Sequence, residues 1–365
     1  MHAVNPMSTH HQHTHPDKRN NSSISVSLPS SDTDALSFQT SSNRAETMRE
    51  ATVAWAKQIT GYPESDKTQY LLSRWLTVAS NFPQRSGRNT LLLSLQHPSI
   101  SCAVTYETWN ESYDRRIKRD QDGFFIWSPV IAPQCPQCGN AKRQHDASDC
   151  EYSKTPPSDW ESGVVGMAPE PVYTPKQTTQ FGTPQEERPL PRVPPDDLIT
   201  IIGKVLRSLE GYYHITTVPP DETHPERKAP RHKTHPLKSH ALDIYSLSER
   251  VSLSNSPTPS EIADALHASA TEMLANPTAI PQLPDWVSPV KTESELEVPK
   301  RNCEALLATH LVCNVLNITP PEPVEEIPIK TWYGETYKQV TDRLDRALAV
   351  ASHILTPIQN AAQAH

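Results

Sequence analysis

The sequence predicts an α+β protein, a small mixed domain followed by a mainly helical one, and three observations carry that prediction. Apolar residues recur at helical spacing from about 45 to 96 and give way to short strand-like runs from 102 to 131. A stretch at 182–197 holds Pro184, Pro189, Pro191, Pro194 and Pro195 among charges and reads as a semi-rigid linker. Beyond it the pattern is again mostly helical. The expected organisation is therefore a tail at 1–44, a first domain at 45–181, the linker at 182–197 and a second domain at 198–365.

Composition bounds what such a chain does. The 365 residues leave room for two domains and for segments outside them. Prolines number 36 and glycines only 10, so long extended connections are expected. A net charge of −8, from 34 basic and 42 acidic residues, excludes a globally basic coat, and any nucleic-acid surface has to be local. With no apolar leader and no run long enough to span a bilayer, the expectation is a cytoplasmic protein with reduced thiols and no membrane partner.

Residues 1–44 are rich in Ser, Asn, Thr and His and cannot bury enough surface to offset ordering entropy, so a disordered tail is expected. Helical patterns then follow in order. Met48, Val53, Trp55 and Ile59 form the first, to Gly61, and Tyr70, Leu71, Trp75, Leu76 and Val78 form the second. Arg88 to Gln96 forms the third, stopped by Pro98. Cys102 to Thr105 and Phe124 to Ile131 have strand character.

Spacing alone points to a chemistry at 135–150. Cys135 and Cys138, two residues apart, can turn back on one metal ion, and His145 and Cys150 complete a Cys-Cys-His-Cys set for tetrahedral zinc. Asp146 and Asp149 lie near enough to stand in for His145. Four protein ligands leave no open position, so one structural Zn2+ is expected.

Between the two strand-like runs lies a basic and aromatic stretch. Arg115, Arg116, Lys118 and Arg119 fall within five residues, flanked by Tyr106, Trp109, Phe124 and Trp127. Aromatic faces stack unpaired bases and cations follow phosphates, the combination single strands require. The same residues also fit a plainer reading in which the tryptophans are core and the charges a solvated face.

The order Asn89-Thr-Leu-Leu-Leu, Gln96-His-Pro98, Thr108-Trp109, Arg115, Gly123 to Ile126 and Pro129 resembles the N-terminal domain of ArdC-type antirestriction proteins. That family's pattern reads N-x-L-L-I, Q-x-P, T-W, G-R-x-V-x-K-G-E-x-G-I-x-I and P. Asp114 stands where the pattern has its first glycine, and Arg119-Asp120-Gln121 where it has Lys-Gly-Glu. The likeness runs from about Ala45 to Gln180, ending in Pro171 to Thr178, and the cysteine set resembles an insertion found in archaeal members. It implies a domain that binds single-stranded DNA. Arg88, Asn89, Gln96, Tyr106, Trp109, Arg115, Arg116, Lys118, Arg119 and Trp127 are then the candidate DNA contacts.

The same resemblance implies a zincin-like layout for the second half. Leu198 to Leu209 has helical rhythm, Tyr212 to Val218 and Arg250 to Leu253 read as strands, and 219–240 is a basic, His-rich excursion. A helix through Ile262, Leu266 and Met273 follows a cap at Pro257 to Ser260. Where the family carries H-E-x-x-H, this chain has His267-Ala-Ser-Ala-Thr271, and its E-A-E counterpart is Glu304-Ala-Leu306. Alanine activates no water, and His267 with Glu304 is a remnant of a site, so no catalytic residue is expected. A last helix, 331–354, aligns Tyr333, Tyr337, Val340, Leu344, Leu348 and Ala351 on one stripe.

Three functions stay open. The first is a single-stranded-DNA-binding, antirestriction-like accessory protein of a mobile element or virus, facing host restriction machinery. The second is a zinc peptidase that recruits His224, His235 or His310. The third is a zinc-stabilised protein-interaction scaffold.

Overall fold

The computed structural model describes residues 26–38, 43–138, 141, 150, 160–180, 202, 205, 216–217, 252–253, 257–275 and 298–363. Within them the architecture is α+β, seven helices with small two-stranded sheets. Three helices open it: α1 (Arg44–Gly61), α2 (Asp66–Ala79) and α3 (Gly87–Gln96). Ser65 caps α2 by accepting from Thr68 N at 3.2 Å, and Ser86 caps α3 by accepting from Asn89 N at 3.3 Å. Each serine thereby meets one amide that the first turn leaves without a partner.

A fourth helix, α4 (Tyr106–Tyr113), fills the stretch between the expected strands, capped by Thr105. The strand expected at 102–105 shrinks to a single bridge, Val104 to Tyr173. Asp114 ends α4 in the left-handed region, with φ 49° and ψ 44°. From there β1 (Arg115–Ile117) pairs antiparallel with β4 (Thr178–Gln180). The long ribbon is β2 (Phe124–Pro133) against β3 (Ser162–Val172), paired from Phe124 with Val172 to Pro133 with Ser162 with one shift of register between Val130 and Ile131. A short parallel pair, β5 (Thr216–Thr217) with β6 (Ser252–Leu253), belongs to the second half.

The remaining helices are α5 (Pro259–Ala275), α6 (Val298–Leu316) and α7 (Tyr337–Gln363). At the start of α5, Glu261 N donates to Thr258 Oγ1 while Thr258 N donates to Glu261 Oε2, a reciprocal capping box. The last helix begins later and runs further than expected, after a 3-10 turn at Ile329–Trp332. Val340, Leu344, Leu348 and Ala351 are buried as a stripe, whereas Tyr333 and Tyr337 stand exposed.

The halves share one core: Trp55, Trp75, Leu91 and Leu92 lie in the same apolar cluster as Leu266, Leu307, Trp332, Leu344 and Leu348. The 182–197 linker lies outside the described residues, but it does not divide the protein into two cores. Gly87 shows how tightly the halves meet, since a Cβ there would sit 2.6 Å from Leu344 Cβ. Within the stretch expected as a tail, Phe38 is buried in that cluster and Leu36 N donates to Leu95 O. Residues 1–25 and 39–42 lie outside the described set.

Candidate metal centre and nucleic-acid face

The cysteines converge where the ribbon ends. Cys135 follows β2 directly, and its Sγ lies 3.5 Å from Cys150 Sγ, with Cys138 completing a group whose sulfurs all fall within 4.8 Å of one another. Tetrahedral zinc with bonds near 2.3 Å sets its sulfurs about 3.8 Å apart, so the three thiols fit one such ion. Trp160, at the start of the returning strand, packs over Cys135 and Cys150. Burial pushes the Cys135 thiol up, but amides of Cys138 and Gln137 and the neighbouring thiols outweigh it and bring it down to about 6. A thiolate, the form a metal takes, is thus favoured at neutral pH. His145, expected as the fourth ligand, lies outside the described residues, as do Asp146 and Asp149.

The residues that carry the family resemblance have a different job from the one expected. Asn89 Nδ2 donates to Trp127 O and Trp127 N donates to Asn89 Oδ1, both at 2.8 Å. Two turns along the same face of α3, Gln96 Nε2 donates to Phe125 O at 2.9 Å while Phe125 N donates to Gln96 Oε1 at 2.7 Å. In an antiparallel ribbon the N–H and C=O of one residue point the same way, so both groups of Phe125 and Trp127 face α3 and not β3. This explains why Pro171 and Pro169 are tolerated opposite them: no amide is needed there. Two helix amides thereby complete an edge that would otherwise expose unpaired backbone.

Trp109 follows the same logic. It is 3% exposed, and its indole N–H donates to Tyr173 O at 2.8 Å. Arg115 Nε donates to Thr178 Oγ1 at 2.6 Å and its guanidinium lies over the Trp109 ring. Gln177 Nε2 donates to Asp122 O at 2.6 Å. Asn89, Gln96, Trp109, Arg115 and the buried Trp127 are therefore bonded or packed into the framework of the fold. Burial of the tryptophans and saturation of the amides leave no face for a base. Two of the three positions where the family pattern has glycine, Asp114 and Asp120, have φ of 49° and 58°. Left-handed backbone of this kind favours glycine and accepts aspartate, which accounts for the pattern.

What stays on the surface is a smaller set. Tyr106 is 48% exposed and Tyr113 54% exposed, seven residues apart and so on one face of α4, about 10 Å along it. Arg116 is the outward residue of β1, and Arg119 and Lys118 follow, exposed, with Lys118 Nζ donating to Lys176 O. Glu107 and Glu111 lie roughly 100–140° round the helix from the tyrosines and leave that face uncharged. Tyr113 was absent from the sequence-derived contacts; its i, i+7 spacing from Tyr106 was the available signal. Arg88 sits apart, half-buried, in a cleft with Arg49 and Tyr337.

In the second half Glu304, His267 and Thr271, the positions the resemblance singles out, make other bonds. Glu304 is buried, and its carboxylate accepts from Arg343 at 2.5 Å and from Arg346 at 2.8 and 2.9 Å. Arg343 also clasps Glu335, which in turn meets Lys300 at 2.9 Å. His267, pushed down by desolvation, has Thr309 Oγ1 at 3.5 Å from its Nδ1. Thr271, at the second-ligand position, returns its hydroxyl to His267 O at 2.9 Å. His310 is buried nearby, its Nε2 without a hydrogen-bond partner among the described residues. Among those residues, three or more metal-ligating groups converge at the cysteines and nowhere else. His224 and His235 lie outside them. No described helix is long and apolar enough to cross a membrane.

No family model and no curated protein matches the chain. A metal-free crystal structure of the antirestriction protein ArdC from plasmid R388 aligns with 82% of this chain and 99% of its own, at 11% identity and a TM-score of 0.41. Similarity at that level defines neither a family nor an activity for this chain.

Proposed function

We propose that the protein is a non-catalytic single-strand nucleic-acid-binding protein, stabilised by one structural zinc at Cys135, Cys138, Cys150 and His145. In this reading it serves as an antirestriction-like accessory of a mobile element. The observation that carries the proposal is the pairing of Tyr106 and Tyr113 on one exposed face of α4 with Arg116 and Arg119 beside it. Two exposed tyrosines about 10 Å apart along the helix axis offer aromatic surface to separate unpaired bases, and the guanidiniums can take the phosphates between them. The antirestriction role is supported by the motif resemblance, with DNA as the expected strand. Absence of peptidase activity is supported by Ala268 at the general-base position and by the commitment of Glu304 to two arginines.

The test is a titration of fluorescent single-stranded and duplex oligonucleotides in parallel at two salt concentrations. Saturable binding of the single strand, weakened by salt, is expected; indifference to both strands would refute the reading. The scaffold reading is favoured by one observation, the exposed apolar side chains of Val130, Ile131, Val164 and Met167 on the β2–β3 ribbon. It would take over if the titration failed.

A further inference from the structure

A small cleft of about 230 Å3 opens where the two halves meet, lined by Arg49, Thr52, Arg88, Trp127, Met167 and Tyr337. Its walls come from α1, α3, α7 and both strands of the ribbon, and each wall is held. The Asn89 clamp fixes Trp127, the close approach of Gly87 to Leu344 fixes the first turn of α3 that carries Arg88, and Thr52 bonds back to Met48 O. Among the described residues neither Arg49 nor Arg88 forms a salt bridge, although the Asp345 carboxylate lies near enough to Arg88 to feel its charge. In a chain of net charge −8, two guanidiniums facing one concavity are a local reversal of sign.

Beside them the cleft offers Tyr337, 40% exposed, Met167, 49% exposed, and the edge of Trp127. An acidic peptide would use the guanidiniums and leave these surfaces uncovered. A planar base joined to a phosphate covers both. The volume lies below the ~300 Å3 at which drug-sized sites begin, which suits a single unit. A base paired within a duplex has to be unpaired and unstacked before it can enter such a recess, which favours a single strand.

We infer that this cleft binds one nucleotide of a single strand, its phosphate held by Arg49 and Arg88 and its base against Tyr337 and Met167. The inference rests on the proposed strand binding and adds a second point of capture, one that requires Tyr337 from the C-terminal half. It also gives the shared core a functional consequence, because the recess exists only while α7 is seated on α1 and α3.

The experiment uses the full chain, an oligo-dT carrying one 4-thiothymidine for photo-crosslinking, and titrations with unmodified oligo-dT, dTMP and inorganic phosphate. The expected adduct maps to Tyr337 or Met167, and oligo-dT binds far more tightly than dTMP or phosphate. Replacing Arg49 and Arg88 together with alanine should lower oligo-dT affinity about tenfold. Tyr337→Phe should retain affinity, and Tyr337→Ala should lose about fivefold or more, each with an unchanged melting temperature. Strand binding that depends on Arg116 and Arg119 but ignores all cleft substitutions would overturn the cleft and leave the proposed function standing. No binding of any strand would overturn both, and equal affinity for phosphate and oligo-dT would make the cleft a phosphate site instead of a nucleotide site.

Discussion

Asn89 and Trp127, 38 positions apart, are joined by two hydrogen bonds of 2.8 Å that make a helix side chain the lateral neighbour of a strand. The pair accepts and donates as a second strand would. Replacing Asn89 with alanine leaves the N–H and C=O of Trp127 without partners, and each such group costs about 1–3 kcal/mol. Asn89→Ala should therefore lower stability markedly in urea unfolding while the folded fraction keeps its affinity for single strands. A stable variant that has lost DNA binding would return Asn89 to the list of contacts.

Asp114 tests whether the resemblance pattern records backbone conformation. At φ 49° the left-handed turn after α4 accepts glycine with ease and a β-branched residue poorly. Asp114→Gly should hold or raise the melting temperature and Asp114→Val should lower it. Equal behaviour of the two variants would mean that the turn is not formed.

Much of this was legible in the sequence, for physical reasons. Helices α1, α2 and α5 announce themselves because each buries apolar residues at helical spacing, and α3 by its apolar run before Pro98. The Cys-x-x-Cys pair announces a turn back on one ion. Helix α4 was missed because Trp109 alone among its residues is buried, which leaves no stripe to read. The clamps of Asn89 and Gln96 were not legible because their partners lie 38 and 29 residues away and nothing local signals them. The shared core was hidden in the same way: proline content suggests a boundary, but only the approach of Gly87 to Leu344 shows that the boundary is not one between cores.

Metal content separates the cysteine site from the zincin remnant. Cys138→Ser should lose about one equivalent of zinc and expose the 126–133 strand to proteolysis, since binding and folding of the turn are coupled. His267→Ala should retain that equivalent. Glu304→Ala should cost about 3–5 kcal/mol, because it strands Arg343 and Arg346 beside a buried void, and should leave zinc unchanged. A second equivalent that disappears with His267, or chelator-sensitive proteolysis by the unmodified protein, would restore a catalytic reading.

Asp345 gives the fold a pH dependence of known sign. Its carboxylate accepts from Gly87 N, and burial pushes it up to about 6 from the usual 3.8. The folded state therefore binds this proton more tightly than the unfolded one, so the group costs stability above pH 6 and the cost is relieved as pH falls toward 4. Asp345→Asn should be more stable than the parent at pH 7, with the difference closing by about pH 4. A constant difference across that range would place the carboxylate in an ordinary environment.

The central claim, that an exposed face of α4 and β1 holds a single strand, is tested most directly by the salt dependence of oligo-dT affinity in the unmodified protein and in the Arg116→Ala, Arg119→Ala double variant. The account predicts a fall of affinity with salt whose logarithmic slope shrinks by roughly one to two phosphate equivalents in the variant, with the melting temperature unchanged. An identical slope and affinity in the two proteins would contradict it.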